Sequence, residues 1–162
     1  MNFQELPIQG LKLIEASPHQ DERGTFTEIY RQDLYRSAGL ETEFIQFNRS
    51  ISKPGVLRGL HVQRNPGQTK WIQVLRGHIF DVIIDLRRDS TSFGKSFCIE
   101  LRGDRPQGLW IPAGCAHGFQ VLGRDQDAEV FYAVDAHHHA IGEIGIRWND
   151  PAFQIPWPIK NP

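Results

Sequence analysis

Three side chains spread along this sequence, His61, Lys70 and Tyr132, can together move a proton off and onto carbon. An imidazole with an ordinary pKa of about 6.5 removes an acidified carbon-bound proton near neutral pH. An ammonium holds the enolate oxygen that results, and a phenol returns a proton. The chemistry is proton abstraction beside a carbonyl, and delivery from the opposite face inverts the carbon. Neither a nucleophile nor a redox cofactor is required.

The neighbourhood of His61 is Arg58-Gly59-Leu60-His61-Val62-Gln63, followed by Gln68, Lys70 and Gly77. If the segment is a strand, alternation puts Gly59, His61 and Gln63 on one face. Metal-binding cupins carry His-x-His, then Glu, then Gly, and here His61, Gln63, Lys70 and Gly77 occupy those places. Lys70 offers only donors and a positive charge where a carboxylate would hold a divalent cation. The spacing is kept, and no metal or other cofactor is expected.

A second segment, Pro112-Ala113-Gly114-Cys115-Ala116-His117-Gly118-Phe119, reads as a turn feeding a strand that begins near His117. With His61 it lines one pocket mouth. A lone barrel histidine is more often a hydrogen-bonded structural residue; two beside Lys70 point to a site. Arg58 and Arg23 offer a place for a diphosphate, although Asp21-Glu22-Arg23-Gly24 also reads as an ordinary solvated turn. His137-His138-His139 reads as a polar loop or pocket rim, since adjacent histidines on a strand face opposite ways and no cysteine or carboxylate pattern accompanies them. Trp71, Phe80, Trp110, Phe119, Phe131 and Trp157 are read as core and interface packing.

These residues must be positioned by strands. Short β-rich segments cover 26–30, 44–47, 70–75, 78–86, 96–101, 109–111, 118–122 and 129–134, most of them separated by Gly, Pro, Asp or Asn. The gaps are too short for repeated helical crossovers, so the expected class is all-β, a small antiparallel barrel with one or two short helices. Residues 31–38 form the one credible helix, with Asp33 in its first turn, Gly39 after its last, and Leu34 and Ala38 on one face. It reads as a surface connection. The last residues, from Pro156 onward, cannot form a central strand and are expected along the barrel surface.

With 162 residues and 40% hydrophobic content, a single domain over 1–162 is expected. A net charge of -1 provides no global field toward nucleic acid or anionic lipid, so neither is expected as a partner. Two lone cysteines, Cys98 and Cys115, fit a reducing cytoplasm. The opening residues show no leader pattern and no apolar run reaches the ~18 residues of a membrane span, so export and membrane insertion are not expected.

Several motifs occur in order: Asp21-Glu22-Arg23-Gly24 with Phe26 and Glu28; Gln46-Phe47-Asn48-Arg49-Ser50; Leu57 to Gln63; Phe80-Asp81-Val82 through Asp85-Leu86-Arg87; Ile111 to Phe119; Tyr132; and Trp148-Asn149-Asp150-Pro151 with Trp157-Pro158. Over about residues 21–158 the chain resembles the dTDP-4-dehydrorhamnose 3,5-epimerase family. The resemblance implies a cupin-type barrel or jelly roll, a homodimer whose pockets are shared between subunits, and inversion of carbons flanking a 4-keto group of a nucleoside-diphosphate 6-deoxyhexose. It implies His61 as base, Tyr132 as acid on the opposite face and Lys70 as the cation near the enolate oxygen. Arg23, Glu28, Gln46, Asn48, Arg58, His117 and Glu143 are implied to hold nucleotide, phosphates and sugar.

Two departures stand out. Family members continue past Trp-Pro to a Leu-Ser-x-x-Asp segment whose Asp pairs with the catalytic His, whereas this sequence ends at Pro162. Asp81 or Asp85 is the expected substitute. Where the family commonly has Tyr-Tyr, one of which stacks on thymine, this chain has His137 and His138. His138 is therefore placed in the substrate-binding set, as a smaller and more polar stacking ring. Mono-epimerisation or keto-sugar isomerisation would use the same base and enolate. A sugar-nucleotide-binding protein without turnover is the alternative from another class, and a metal-dependent oxygenase is disfavoured by Gln63 and Lys70.

Overall fold

Alternation along the strands decides which residues reach the barrel interior. In the computed structural model, which describes residues 1–160, the strands are β1 (Asn2–Glu5), β2 (Lys12–Glu15), β3 (His19–Asp21), β4 (Gly24–Phe26), β5 (Gln46–Ser52), β6 (Leu57–Gln63), β7 (Lys70–Arg76), β8 (His78–Asp85), β9 (Ser96–Arg102), β10 (Gln107–Ile111), β11 (Cys115–Leu122), β12 (Ala128–Val134) and β13 (Glu143–Gly145). A six-stranded sheet, β1-β2-β10-β7-β12-β5, faces a five-stranded one, β13-β6-β11-β8-β9; β3 and β4 form a separate hairpin. The pairings are antiparallel throughout. This is the expected cupin-type architecture, and among the described residues one α-helix and a 3-10 turn at Ala140–Gly142 accompany the strands.

Between the sheets lies the main core, with Leu13, Ile72, Val74, Ile79, Ile83, Leu109, Phe119, Val121 and Val130. The same strands carry apolar residues on their outer faces as well. Trp71, Trp110 and Ala133 back the six-stranded sheet, and Val82, Ile84 and Ala116 back the five-stranded one. Each outer face is covered in part by chain that is not strand, and the β5 end of the six-stranded sheet is left open, with Phe47 and Ile51 exposed.

Over the six-stranded sheet lies α1 (Gln32–Ser37), with Arg31 and Ala38 at its caps. The helix was expected to be a surface connection on a Leu34/Ala38 face; it is instead anchored by Tyr35, 1% exposed, whose ring meets Phe3, Tyr30, Trp71 and Trp110. Over the five-stranded sheet lies the C-terminal segment. Trp157 is buried against Phe80 and donates its indole N–H to the Trp148 carbonyl at 2.7 Å. The Gln120 amide exchanges hydrogen bonds with the Ile159 backbone at 2.8 and 3.0 Å. Asn161 and Pro162 lie outside the described residues.

Candidate active site

His61 and Arg58 share a cavity although they are three residues apart, an odd spacing that regular alternation would send to opposite faces. The cause is an irregularity in β6 against β11. His117 pairs with His61, whereas Phe119 pairs with Arg58, and the register shifts between them. Gly59 sits there with φ +106, and a Cβ on it would lie 2.6 Å from Gly118 Cα and 2.7 Å from the His117 carbonyl oxygen. Only two glycines let the strands come this close. The bulge turns both Arg58 and His61 inward, as bulges beside active sites do.

The cavity, about 560 Å³, opens at one end of the barrel. The five-stranded sheet contributes Arg58, His61, His117 and Glu143; the facing sheet contributes Gln46, Asn48, Lys70 and Tyr132. His61 and Tyr132 therefore stand on opposite walls. Tyr132 lies between Asn48 on β5 and Ile72 on β7, its ring against the core. Lys70 and Asn48 share its inner face. Arg58 is steadied by the buried Ser52 hydroxyl, which accepts its Nε–H at 2.7 Å.

Burial pushes the Lys70 ammonium down from the usual lysine range, while the Glu143 and Asp81 carboxylates favour its charged form. The hydrogen bond with His138 holds the Glu143 carboxyl below the usual glutamate range against its partial burial, with His61 and Lys70 adding to the effect. Burial pushes the fully enclosed Asp81 carboxyl up, opposed by His117 and Lys70. Lysine, histidines and carboxylates thus form one electrostatic unit around the cavity.

Neither expected partner of His61 takes that place. Asp81 Oδ2 meets His117 Nε2 at 2.8 Å beneath the cavity floor. Asp85 is fully buried and spent on Arg87 (2.7 Å), Ser90 (2.5 Å) and Ser92 (2.6 Å). The carboxylate near His61 is Glu143, with Oε1 at 3.4 Å from Nδ1. Arg23 and Glu28 also lie away from the chain's own cavity: Arg23 is exposed in the β3–β4 hairpin and paired with Asp21 at 2.6 Å, and Glu28 is 3.6 Å from Arg31.

Of the triple histidine only His138 lines the cavity, and the segment is held by two glutamines. Gln63 donates to the His137 carbonyl at 3.0 Å and accepts from the His139 N–H at 3.1 Å. Gln46 accepts from the His138 N–H at 3.1 Å. Gln68 donates to the Ala136 carbonyl at 2.7 Å. A position that is a metal ligand in metal-binding cupins here clamps a loop and presents His138 to the cavity. Among the described residues no group of three His, Cys, Asp or Glu side chains is placed to hold a metal ion. Burial pushes the Cys98 thiol to about 11 and the Cys115 thiol to about 12, leaving neither as a thiolate nucleophile. Sequence reasoning missed the Gln63 clamp and the Ser52 brace, because both are set by partners distant in the chain.

Residues 5–162 match the family model for dTDP-4-dehydrorhamnose 3,5-epimerase. The chain belongs to the dTDP-4-dehydrorhamnose 3,5-epimerase family. The family's enzyme from Shigella flexneri is 40% identical over all of this chain and 90% of its own length. A Bacillus anthracis structure of the family with TDP and PPi bound is 40% identical at a TM-score of 0.94, covering 99% of this chain and 92% of that one. A Legionella pneumophila dTDP-6-deoxy-D-glucose-3,5-epimerase in complex with dTDP-4-keto-L-rhamnose is 38% identical at a TM-score of 0.92, covering 99% and 85%. The epimerase cavity described above is therefore set in a fold shared along nearly the whole chain.

Proposed function

We propose that the protein epimerises a nucleoside-diphosphate 4-keto-6-deoxyhexose, with dTDP-4-dehydro-6-deoxyglucose as the leading substrate, in deoxysugar synthesis for surface polysaccharide. The observation that carries this reading is the placing of His61 and Tyr132 on opposite walls of one cavity beside Lys70. His61 takes the proton next to the ketone, the Lys70 ammonium receives the enolate charge, and Tyr132 returns a proton from the other side. Arg58 and His117 offer cationic or donor contacts to phosphates, and Gln46, Asn48 and His138 line the path of sugar and base. The order needs no metal, since Lys70 supplies the electrophile.

We further read the functional unit as a homodimer in which the β3–β4 hairpin brings Arg23 and Glu28 to the partner's cavity. Supporting this, Phe26 is 71% exposed and Phe47 62% exposed, and Ile45 and Ile51 are exposed beside the edge strand β5. Exposed large apolar side chains along a sheet edge and on a projecting hairpin are what an interface covers. No helix among the described residues is long and apolar enough to cross a membrane, and the two unpaired cysteines support the cytoplasm as the working compartment. NMR of the protein with dTDP-4-keto-6-deoxyglucose in deuterated water tests the reaction. Deuterium at C3, C5 or both supports epimerisation and names the carbons; tight binding with no exchange would replace it with a binding function. Light scattering of wild type and Phe47→Asp tests the dimer, with a monomeric wild type as the refuting result.

A further inference from the structure

Strand β13 is short and follows a 3-10 turn, yet it delivers one side chain to the centre of the site. Its pairing with β6 sets Glu143 opposite Gln63 and Gly145 opposite His61, so Glu143 lies diagonally beside His61. Its two carboxylate oxygens are divided between two imidazoles: Oε1 stands 3.4 Å from His61 Nδ1, and Oε2 stands 3.1 Å from His138 Nε2. Among the described residues Glu143 is the one carboxylate within ion-pair reach of His61. The backbone of His138 is itself fixed by Gln46. The carboxylate is thus held from one side by a clamped loop and presented on the other to the proposed base.

We propose that Glu143 positions His61 for proton abstraction. At ion-pair distance from Nδ1, the carboxylate favours a proton on that nitrogen, leaves Nε2 with its lone pair free for the substrate proton, and stabilises the imidazolium that forms. The resemblance assigned Glu143 to holding substrate; the geometry gives it a partner within the protein. The hydrogen bond with His138, reinforced by His61 and Lys70, keeps the carboxyl below the ordinary glutamate range and so ionised at neutral pH. The other charged or titratable groups facing the same cavity are His138 on the rim, His117 from β11, Arg58 on His61's own strand, and Lys70 and Tyr132 from the facing sheet. All of them remain when Glu143 is replaced, so a change in His61 reports on the carboxylate. The proposal rests on the reading of His61 as the base.

The experiment uses nitrogen-15 NMR of His61 in the ligand-free protein together with steady-state kinetics of Glu143→Gln and Glu143→Asp. In wild type the neutral His61 ring is expected as the Nδ1–H tautomer; an Nε2–H tautomer overturns the proposal without any variant. In Glu143→Gln the His61 titration midpoint and the acid limb of the kcat/KM profile are expected to move together to lower pH by about half a unit or more, because an imidazolium without its neighbouring carboxylate is less stable. On the same grounds kcat is expected to fall about tenfold or more with KM nearly unchanged, and Glu143→Asp to recover part of the loss. An unmoved midpoint, or a raised KM at unchanged kcat, overturns it in favour of substrate holding. Wild-type turnover separates the two readings: an inactive wild type with a shifting His61 midpoint would retire the epimerase reading and leave the contact standing.

Discussion

Replacing Gly59 by alanine adds one methyl group where β6 and β11 leave no room for a Cβ. The new atom would lie 2.6 Å from Gly118 Cα and 2.7 Å from the His117 carbonyl oxygen, both backbone atoms, against the 3.4 Å at which ordinary contact begins. No rotamer relieves the clash, so the strands must part. Their separation costs about 1–3 kcal/mol as overpacking. The φ of +106 adds about 1–3 kcal/mol, since L side chains seldom adopt it. Together these give about 4 kcal/mol, or a fall in Tm of about 10 °C for a chain of this size. Two controls separate the contributions. Gly55 has φ +79 with open space around it, so Gly55→Ala carries the backbone cost alone, about 1 kcal/mol. Gly118→Ala places its Cβ 2.6 Å from the Arg58 carbonyl oxygen and carries mainly the packing cost, about 2 kcal/mol. Urea unfolding followed by fluorescence of the tryptophans gives all three values at comparable m. The expected order of destabilisation is Gly59, Gly118, Gly55; Gly59→Ala within 1 kcal/mol of Gly55→Ala would refute the account of the bulge, and with it the explanation of how Arg58 and His61 reach one face.

Two further outcomes follow from the charge arrangement. Asp81→Asn removes one of two carboxylates that favour the charged form of the buried Lys70; the alkaline limb of kcat/KM is expected to move to lower pH than in wild type, and an unmoved limb would separate Lys70 from the reaction. Asp85→Asn breaks the buried pair with Arg87 and is expected to cost about 3 kcal/mol at pH 7. Burial pushes the Asp85 carboxyl up, but Arg87, Ser90 and Ser92 hold it well below the ordinary range. Its contribution is therefore complete above the unfolded carboxyl's pKa of about 3.9 and is lost as pH falls through the depressed folded value. Stability curves of wild type and variant should converge in acid, and a constant gap down to low pH would contradict the assignment.

The legible part of the fold was where burial and alternation coincide. Strands β7, β8, β9 and β12 carry apolar residues toward the core on one face, and their limits fall within about two residues of the expected ones. Strand β5 runs against that pattern: Gln46 and Asn48 line the cavity and Ser50 is on the same face, while Phe47 and Ile51 are exposed outward, so an apolar reading stopped at Phe47 where the strand continues to Ser52. Residues 27–30 alternate like a strand, yet Tyr30 leaves it to join the aromatic cluster under α1. The short β1 and β2, on either side of Pro7 and Gly10, give too few residues for a period to show.

At the site, His61, Lys70, Tyr132 and His117 were legible from residue type and spacing, and the structure collects them in one cavity. The partners were not. Asp81 and Asp85 lie four residues apart on β8 and share its inner face, but only the three-dimensional pairing shows that one serves His117 and the other the Arg87 turn. Glu143 reaches His61 through a strand of three residues after a 3-10 turn, a link with no local periodicity.

The central claim is that base and acid work from opposite walls of one cavity, and Tyr132→Phe tests it most directly. With dTDP-4-keto-6-deoxyglucose in deuterated water, wild type should yield product inverted and deuterated at the reacting carbon. Tyr132→Phe should still exchange that proton through His61 but return it to the same face, giving deuterated substrate with its configuration retained, while His61→Ala should do neither. Inversion at the wild-type rate in Tyr132→Phe would contradict the account.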